Sequence, residues 1–383
     1  MQLPFSLFIK PVGSRCNLDC SYCYYLNQDK PNKMDVEAMR TMVSEHISAQ
    51  PSHTPVVDFI WHGGEPMMRG LSFYETVVAE QSRYPTSKRI VNTLQTNGTL
   101  ITEKWARFFA KHNFMLGVSI DGPELLHNIG RIDKRGGSSF EQTLQGMALL
   151  RQHKVEFNTL TVISNRTFHR GKEIYQFLTK NGSDYLQFQP CFDHDLDRRS
   201  DYDWSLSGEQ WGRFLCDVFD EWCDGDIGQV NVQFFENCLA ILMDYPSQMC
   251  HHAPTCGQQL MAEADGEVFS CDHYGYEQYS LGQCKDAAQN DYRPLREMVN
   301  STEQRHFGES KWESLCRQCH ECDFLPLCHG GCPKNRTLLN QDSEPMNLLC
   351  SGYKTFFAYA LPRMLRMVDA MKNGYSPKYY QLF

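Results

Sequence analysis

The sequence has no apolar run approaching the roughly 20 residues that a membrane-spanning helix needs, so no membrane partner is expected. Its first sixteen residues, MQLPFSLFIKPVGSRC, have neither the charged start nor the long apolar stretch of a signal peptide. The protein therefore reads as cytoplasmic. Basic charge is in deficit, with 37 Lys and Arg against 46 Asp and Glu, a net of −9. That balance offers no general attraction to a phosphate backbone, and nucleic acid is set aside as a partner. Repeats and low-complexity tracts are also missing. What remains is an ordinary globular composition, 41% hydrophobic and 22% charged, over 383 residues, enough for about two domains.

Cysteine is abundant: there are 17. In a reducing compartment these are not expected to be structural disulfides. Cys216, Cys223 and Cys238 are scattered through one helical region and read as small buried apolar residues. Most of the others fall into short, repeated spacings that core packing does not require, and metal binding accounts for these clusters better.

Along the first 190 residues, β-rich runs at 6–12, 56–62, 88–96, 114–121, 155–163 and 185–191 alternate with helical patterns at about 35–49, 71–84, 102–112, 139–153 and 170–181. This alternation predicts βαβ units and a parallel sheet. With six strands and not eight, the expected fold is α/β, a partial open (β/α)6 barrel. Chemistry in such folds gathers at the carboxyl ends of the strands. The motifs obey this: Cys16 follows the first strand, Gly63-Gly64-Glu65-Pro66 the second, Thr96-Asn97-Gly98 the third and Asp121-Gly122-Pro123 the fourth. Beyond Cys191 a polar, loop-like segment spans 192–206, and Ser207 with Gln210 forms a capping box for a helix through about 223. Residues 250–350 are rich in cysteine, glycine and turn signals with little periodicity, a segment expected to owe its fold to bound metal. Residues 352–372 read as a closing helix interrupted at Pro362. The expected division is 1–235, 236–350 and 351–383.

Cys16-x3-Cys20-x2-Cys23 offers three thiolates on one loop. A four-iron cluster normally takes four, so three leave one iron open for a ligand. Zinc would need a fourth ligand nearby, and His46 or His53 lies too far along for a compact loop site.

This motif, with Tyr22 in its aromatic place, resembles the signature of the radical S-adenosylmethionine (AdoMet) enzymes. The resemblance implies that Cys16, Cys20 and Cys23 hold a 4Fe–4S cluster whose open iron chelates AdoMet, with Tyr22 near the adenine. Gly63 and Gly64 match the family's glycine-rich loop, and Glu65 offers an acceptor for the methionyl ammonium group. Ser119, Asp121 and Arg131 stand where relatives contact AdoMet, Arg131 pairing with the carboxylate.

A second constellation, Cys250-x5-Cys256-x14-Cys271 and Cys319-x2-Cys322-x5-Cys328-x3-Cys332-x17-Cys350, resembles the SPASM domain of radical enzymes that modify peptides and proteins. It implies a cysteine-rich, carboxyl-terminal iron–sulfur domain with two auxiliary clusters. One is held by Cys250, Cys256, Cys271 and Cys332, the other by Cys319, Cys322, Cys328 and Cys350, for three 4Fe–4S clusters in all. Cys316, three residues before Cys319, is an alternative ligand to it.

The runs LFIKPVGSRCNLDCSYCYY, LQTNGT, GVSIDGPELLHN, VEFNTLTVI and Cys271-Asp272 together are similar to the anaerobic sulfatase-maturating enzymes. That likeness implies oxidation of a cysteine or serine of a sulfatase polypeptide to Cα-formylglycine, with an electron donor such as flavodoxin or ferredoxin. Asp272 matches the general base, its pKa raised by burial, and Tyr25 a tyrosine near the substrate. One departure is His62, where those relatives carry glutamine; Trp61-His62 also occurs in wider peptide-modifying radical enzymes. The alternative is a SPASM-type maturase that crosslinks or epimerises another peptide. Such enzymes often begin with a peptide-recognition domain, for which the fifteen residues before Cys16 leave no room. A zinc-stabilised binding module or ferredoxin-like carrier would leave the strand-end motifs unexplained.

Overall fold

The computed structural model describes residues 4–26, 33–192, 204–285 and 291–383. In chain order the elements are β1 (Ser6–Ile9), α1 (Val36–Ala49), β2 (Val56–Trp61), α2 (Leu71–Gln81), β3 (Arg89–Thr96), α3 (Glu103–Lys111), β4 (Met115–Ser119), α4 (Glu124–Gly130), α5 (Phe140–Gln152), β5 (Phe157–Ile163), α6 (Gly171–Lys180) and β6 (Tyr185–Pro190). They continue with α7 (Gly208–Cys223), β7 (Asn231–Val232), α8 (Gln233–Leu242), β8 (Gln259–Ala262), β9 (Glu267–Phe269), β10 (Ser280–Gln283), α9 (Leu295–Val299), α10 (Thr302–Glu313), α11 (Arg317–His320), α12 (Leu325–Cys328) and α13 (Cys350–Lys372). The six strands and five helices expected before residue 191 are all present, and the α/β fold is as read. Most of the loop-like segment 192–206 lies outside the described residues. No helix among the described residues is long and apolar enough to cross a membrane.

Compactness cuts across the segments 1–235, 236–350 and 351–383. One compact unit comprises residues 1–119, 131–157 and 256–309; the other comprises 120–130, 158–255 and 310–383. In the first, the strand order is β10-β9-β8-β1-β2-β3-β4. The run β8-β1-β2-β3-β4 is parallel, and β9 and β10 add antiparallel. Residues 256–309 therefore do not depend on metal alone for structure: β8 pairs Leu260 with Leu7 and buries Leu260, Met261 and Ala262. Three- and four-residue strands are too short to show a period, and this hid them in the sequence.

Helix α1 starts at Asp35, whose side chain accepts the Ala38 N–H at 2.7 Å. It buries Met39, Met42, Val43, His46 and Ile47, a 3.6-residue stripe. His46 is fully buried, edge-on to Phe5 and Phe59. Its Nε2 lies 2.8 Å from the Asp58 carbonyl, and its Nδ1 lies 3.4 Å from Gln50 Nε2. The neutral Nε2–H tautomer satisfies both contacts, whereas a second ring proton would face the Gln50 amide donor. Burial accordingly lowers the His46 pKa from 6.5 to about 4. A histidine with a depressed folded-state pKa contributes stability above the unfolded value and loses it as pH falls. The expected loss is about 3 kcal/mol between pH 6.5 and pH 4. Denaturant unfolding across that range checks this. His46→Gln should flatten the slope, and an unchanged slope would assign the acid loss to other groups.

In the second unit β5-β6-β7 run parallel. Helix α7 opens with the expected capping box: Ser207 Oγ accepts the Gln210 N–H, and Gln210 Oε1 accepts the Ser207 N–H. Cys216 and Cys223 lie on α7 and Cys238 on α8, so the single helical region is two helices. Helices α7 and α13 meet at Gly208, Gly212 and Gly352; a Cβ on Gly212 would stand 2.8 Å from the Gly352 Cα. The expected interruption at Pro362 does not occur, and α13 runs unbroken from Cys350 to Lys372. Tyr353, Phe356, Phe357, Ala360, Met364, Met367 and Val368 keep one buried stripe through the proline. Pro362 and Ala358, whose carbonyl it deprives of an N–H, are both exposed, so the proline stands on the outer face of the helix.

Candidate functional site

Because β8, β1, β2 and β3 are parallel, their carboxyl ends deliver Glu263, Lys10, His62 and Asn97 to one edge of the first unit. The loop bearing Cys16, Cys20 and Cys23 leaves the same edge after β1. It is held to the loop after β2 through backbone: Gly64 N–H donates to Gly13 O at 2.8 Å and Glu65 N–H to Arg15 O at 2.9 Å. A Cβ on Gly64 would lie 2.1 Å from the Arg15 oxygen, so only glycine permits this approach. Gly63, at φ 120°, takes a conformation open to glycine.

Cys16 Sγ accepts the Leu18 N–H at 3.4 Å and the Asn97 side-chain amide at 3.8 Å, and the Cys23 N–H closes a turn on Cys20 O. Asn97 also donates to Asn17 Oδ1 at 2.9 Å, which fixes the amide's direction. Burial raises the Cys16 thiol to about 11 in the metal-free protein. N–H donors aimed at sulfur are what a cluster thiolate receives from its surroundings, so this loop fits an iron–sulfur cluster. Among the described residues no three His, Cys, Asp or Glu side chains close as the cage of a single metal ion.

Glu65 pins two loops of the site. It is fully buried, and its carboxylate accepts the Met67 N–H at 3.0 Å, the Asn97 N–H at 2.8 Å and the Thr96 hydroxyl at 3.0 Å. Burial raises its pKa to about 7 against those three donors. Its oxygens are engaged in pinning the loops after β2 and β3 together. Tyr22 lies under Arg131, the guanidinium 5.5 Å from the ring centroid, and Arg131 is itself buried. Ser119 ends β4 in this unit. Asp121 belongs to the other unit, where its Oδ1 accepts the Val162 N–H at 2.9 Å.

Asp272 sits in a buried polar group. Lys10, 1% exposed, places Nζ 2.8 Å from Oδ1; His62 Nδ1 lies 4.0 Å from the same oxygen; the Tyr24 hydroxyl is 3.4 Å from Oδ2. Lys10 Nζ also lies 3.6 Å from the centroid of the Tyr25 ring, and the Tyr25 hydroxyl donates to Glu263 at 2.8 Å. The expected upward shift of Asp272 is reversed. Burial alone raises it, but Lys10, then His62 and His273, hold the carboxyl well below the usual range. His62 is pushed down, first by burial, and is neutral near pH 7. Tyr25 is a buried member of this group, with its hydroxyl committed to Glu263. Lys10, Glu263 and Tyr24 were not singled out from the sequence. The available signal was a single charge ending an apolar strand, in SLFIK and QLMAE.

The eight remaining cysteines divide. Cys256 and Cys271 belong to the first unit, where the Gln304 side-chain amide donates to Gly257 O at 2.8 Å and Ser270 O at 3.1 Å, drawing their neighbours together. Cys250 and Cys332 belong to the second; the Cys250 thiol is raised to about 11, first by burial and then by Cys332. Cys319, Cys322, Cys328 and Cys350 all lie in the second unit and line one cavity with Phe324, Leu325 and Tyr353. Four thiols around an otherwise apolar space fit a fully ligated cluster.

Residues 11–178 match the radical SAM superfamily. The chain is 38% identical, over 98% of its length and 94% of the relative's, to the serine-type anaerobic sulfatase-maturating enzyme of Bacteroides thetaiotaomicron. It is 32% identical to the cysteine-type enzyme of Clostridium perfringens, over 96% of this chain and all of that one. A solved structure, native anSMEcpe with bound AdoMet and Kp18Cys peptide, superposes with a TM-score of 0.88 at 32% identity, covering 96% of this chain and 99% of that one. With the strand-end motifs on one edge of a parallel sheet, and likeness along nearly the whole chain, the protein belongs to the anaerobic sulfatase-maturating enzymes, within the radical SAM superfamily.

Proposed function

We propose that the chain acts in the cytoplasm and oxidises a serine or cysteine of a sulfatase polypeptide to Cα-formylglycine, using AdoMet, three 4Fe–4S clusters and an electron donor such as flavodoxin or ferredoxin. The observation that carries this reading is the position of Asp272: a half-buried carboxylate that meets, through Tyr24, the loop bearing Cys23. Cys16, Cys20 and Cys23 hold the first cluster. Gly63, Gly64, Ser119, Asp121, Arg131 and Tyr22 form the AdoMet site, and Glu65 serves it through the loop it pins. Cys250, Cys256, Cys271 and Cys332 hold one auxiliary cluster, and Cys319, Cys322, Cys328 and Cys350 the other.

When bound, these groups supply the radical that removes a hydrogen atom from the target Cβ and the acceptor for the electron that leaves. Asp272 takes the remaining proton, from the hydroxyl or thiol, so that a C=O or C=S bond forms; with a cysteine target, water then hydrolyses the thioaldehyde to the aldehyde and hydrogen sulfide leaves. Lys10 holds Oδ1, which leaves Oδ2 as the oxygen that receives it. Tyr25 and Glu263 hold Lys10 in place from its other side, and Tyr25 borders the substrate.

The test is anaerobic reconstitution followed by AdoMet, reductant and a Cys-x-Pro-x-Arg peptide or its serine counterpart. About 12 irons per chain are expected, with 5′-deoxyadenosine and an oxidised peptide. Deoxyadenosine without a change in peptide mass would move the substrate to a different peptide, which is the outcome that crosslinking or epimerisation predicts.

A further inference from the structure

Five thiols gather in the second unit where one cluster needs four. Cys319, Cys322, Cys328 and Cys350 line the cavity; Cys316 is absent from its lining. It is 3% exposed and stands behind Cys319, with its Sγ 3.5 Å from the Cys319 Sγ as the donor of an S–H···S contact. The local backbone fixes this placement. Cys316 caps α11, and its carbonyl accepts the Cys319 N–H at 2.9 Å, so the two thiols sit one turn apart on the same side.

We propose that Cys316 is not a ligand but the thiol donor to the Cys319 sulfur, and that this contact raises the reduction potential of the cluster held in the cavity. The inference rests on the reading of the four cavity cysteines as ligands. A reduced cluster carries one more negative charge, spread partly over its sulfurs. A donor aimed at one of them favours the reduced state, and hydrogen bonds to sulfur are an established control of cluster potential. The direction suits an acceptor of the electron released on substrate oxidation. Cys319, which lines the cavity, remains the ligand.

The experiment compares the reconstituted full chain with Cys316→Ala, which removes the donor, and Cys316→Ser, which retains one. Iron is counted, and the clusters are followed by electron paramagnetic resonance during a redox titration. Cys319→Ala identifies the signal that belongs to this site. All three proteins should hold about 12 irons. Poised at the wild-type midpoint, Cys316→Ala should show about a tenfold lower reduced-to-oxidised ratio, equivalent to about 59 mV for one electron, and Cys316→Ser should recover most of it. Loss of about four irons in Cys316→Ala would make Cys316 a ligand and overturn the proposal. So would a full iron count with an unmoved midpoint. A wild-type chain holding only about four irons would instead remove the auxiliary clusters themselves, and with them any role for Cys316 in tuning one.

Discussion

Replacing Cys16, Cys20 and Cys23 together by alanine is expected to abolish deoxyadenosine formation completely while leaving about eight of about twelve irons bound. The reason is spatial. The three thiols belong to one loop, closed by the Cys23-to-Cys20 turn and by the Cys16 contacts with Leu18 and Asn97. None of the cavity cysteines, Cys319, Cys322, Cys328 and Cys350, shares that loop. Loss of the first cluster should therefore leave the others in place. The fold should survive too, because the loop is held by backbone bonds from Gly64 and Glu65 that require no cysteine side chain. Iron counting and quantitation of deoxyadenosine decide the matter. If all iron is lost together, the clusters load cooperatively, and the cysteines have been divided into the wrong sets. If deoxyadenosine still forms, Cys16, Cys20 and Cys23 are not the radical-generating site.

How much of this was legible in the chain depends on length and on distance in sequence. The β/α alternation before residue 191 was clear because each element is long enough to show its period, and Ser207 with Gln210 announced α7 through a local rule. Strands β8 to β10 were not, since three or four residues carry no periodicity and the pairing of β8 with β1, which joins them to the sheet, spans some 250 positions. Pro362 misled for the opposite reason. A strong local rule was overridden by packing against α7 and by an exposed site for the orphaned carbonyl. At the site the cysteine spacings carried the family resemblance, and the resemblance rather than the spacing implied which cysteines share a cluster. Lys10 and Glu263, by contrast, are ordinary charges until parallel pairing sets the ends of β1, β2 and β8 side by side. The pKa of Asp272 was misjudged on the same account: burial was foreseeable, the ammonium 2.8 Å away was not. Glu65 inverts the case, since its motif was recognised while the carboxylate's use, splinting two loops, appears only in three dimensions.

Asp272→Asn is expected to lower peptide oxidation by about 10²–10⁴-fold, the range for removing a general base, with iron content and AdoMet cleavage retained. Asparagine keeps the shape of the side chain, can accept from Lys10 through its oxygen and can donate its amide to the Tyr24 hydroxyl oxygen, so the group should stay assembled. It lacks the basic oxygen. Deoxyadenosine formed per peptide oxidised should rise accordingly, because a substrate radical that cannot lose its proton is quenched by an electron from the reductant and a proton from solvent, which leaves deoxyadenosine behind and the peptide unchanged. Lys10 makes the native carboxylate a weak base but keeps it ionised wherever the enzyme works. Weakness is tolerable here, since a hydroxyl or thiol on a carbon that has just lost a hydrogen atom is far more acidic than in the parent residue. Lys10→Met is the companion variant. Removing the ammonium leaves Asp272 with only the Tyr24 hydroxyl and the more distant His62, so its pKa should climb with burial as the dominant influence, and activity should then acquire an acidic limb that the native enzyme lacks. Unimpaired turnover in Asp272→Asn would take the base role from this residue and leave the Lys10–Asp272 pair as scaffolding for the Cys271 loop.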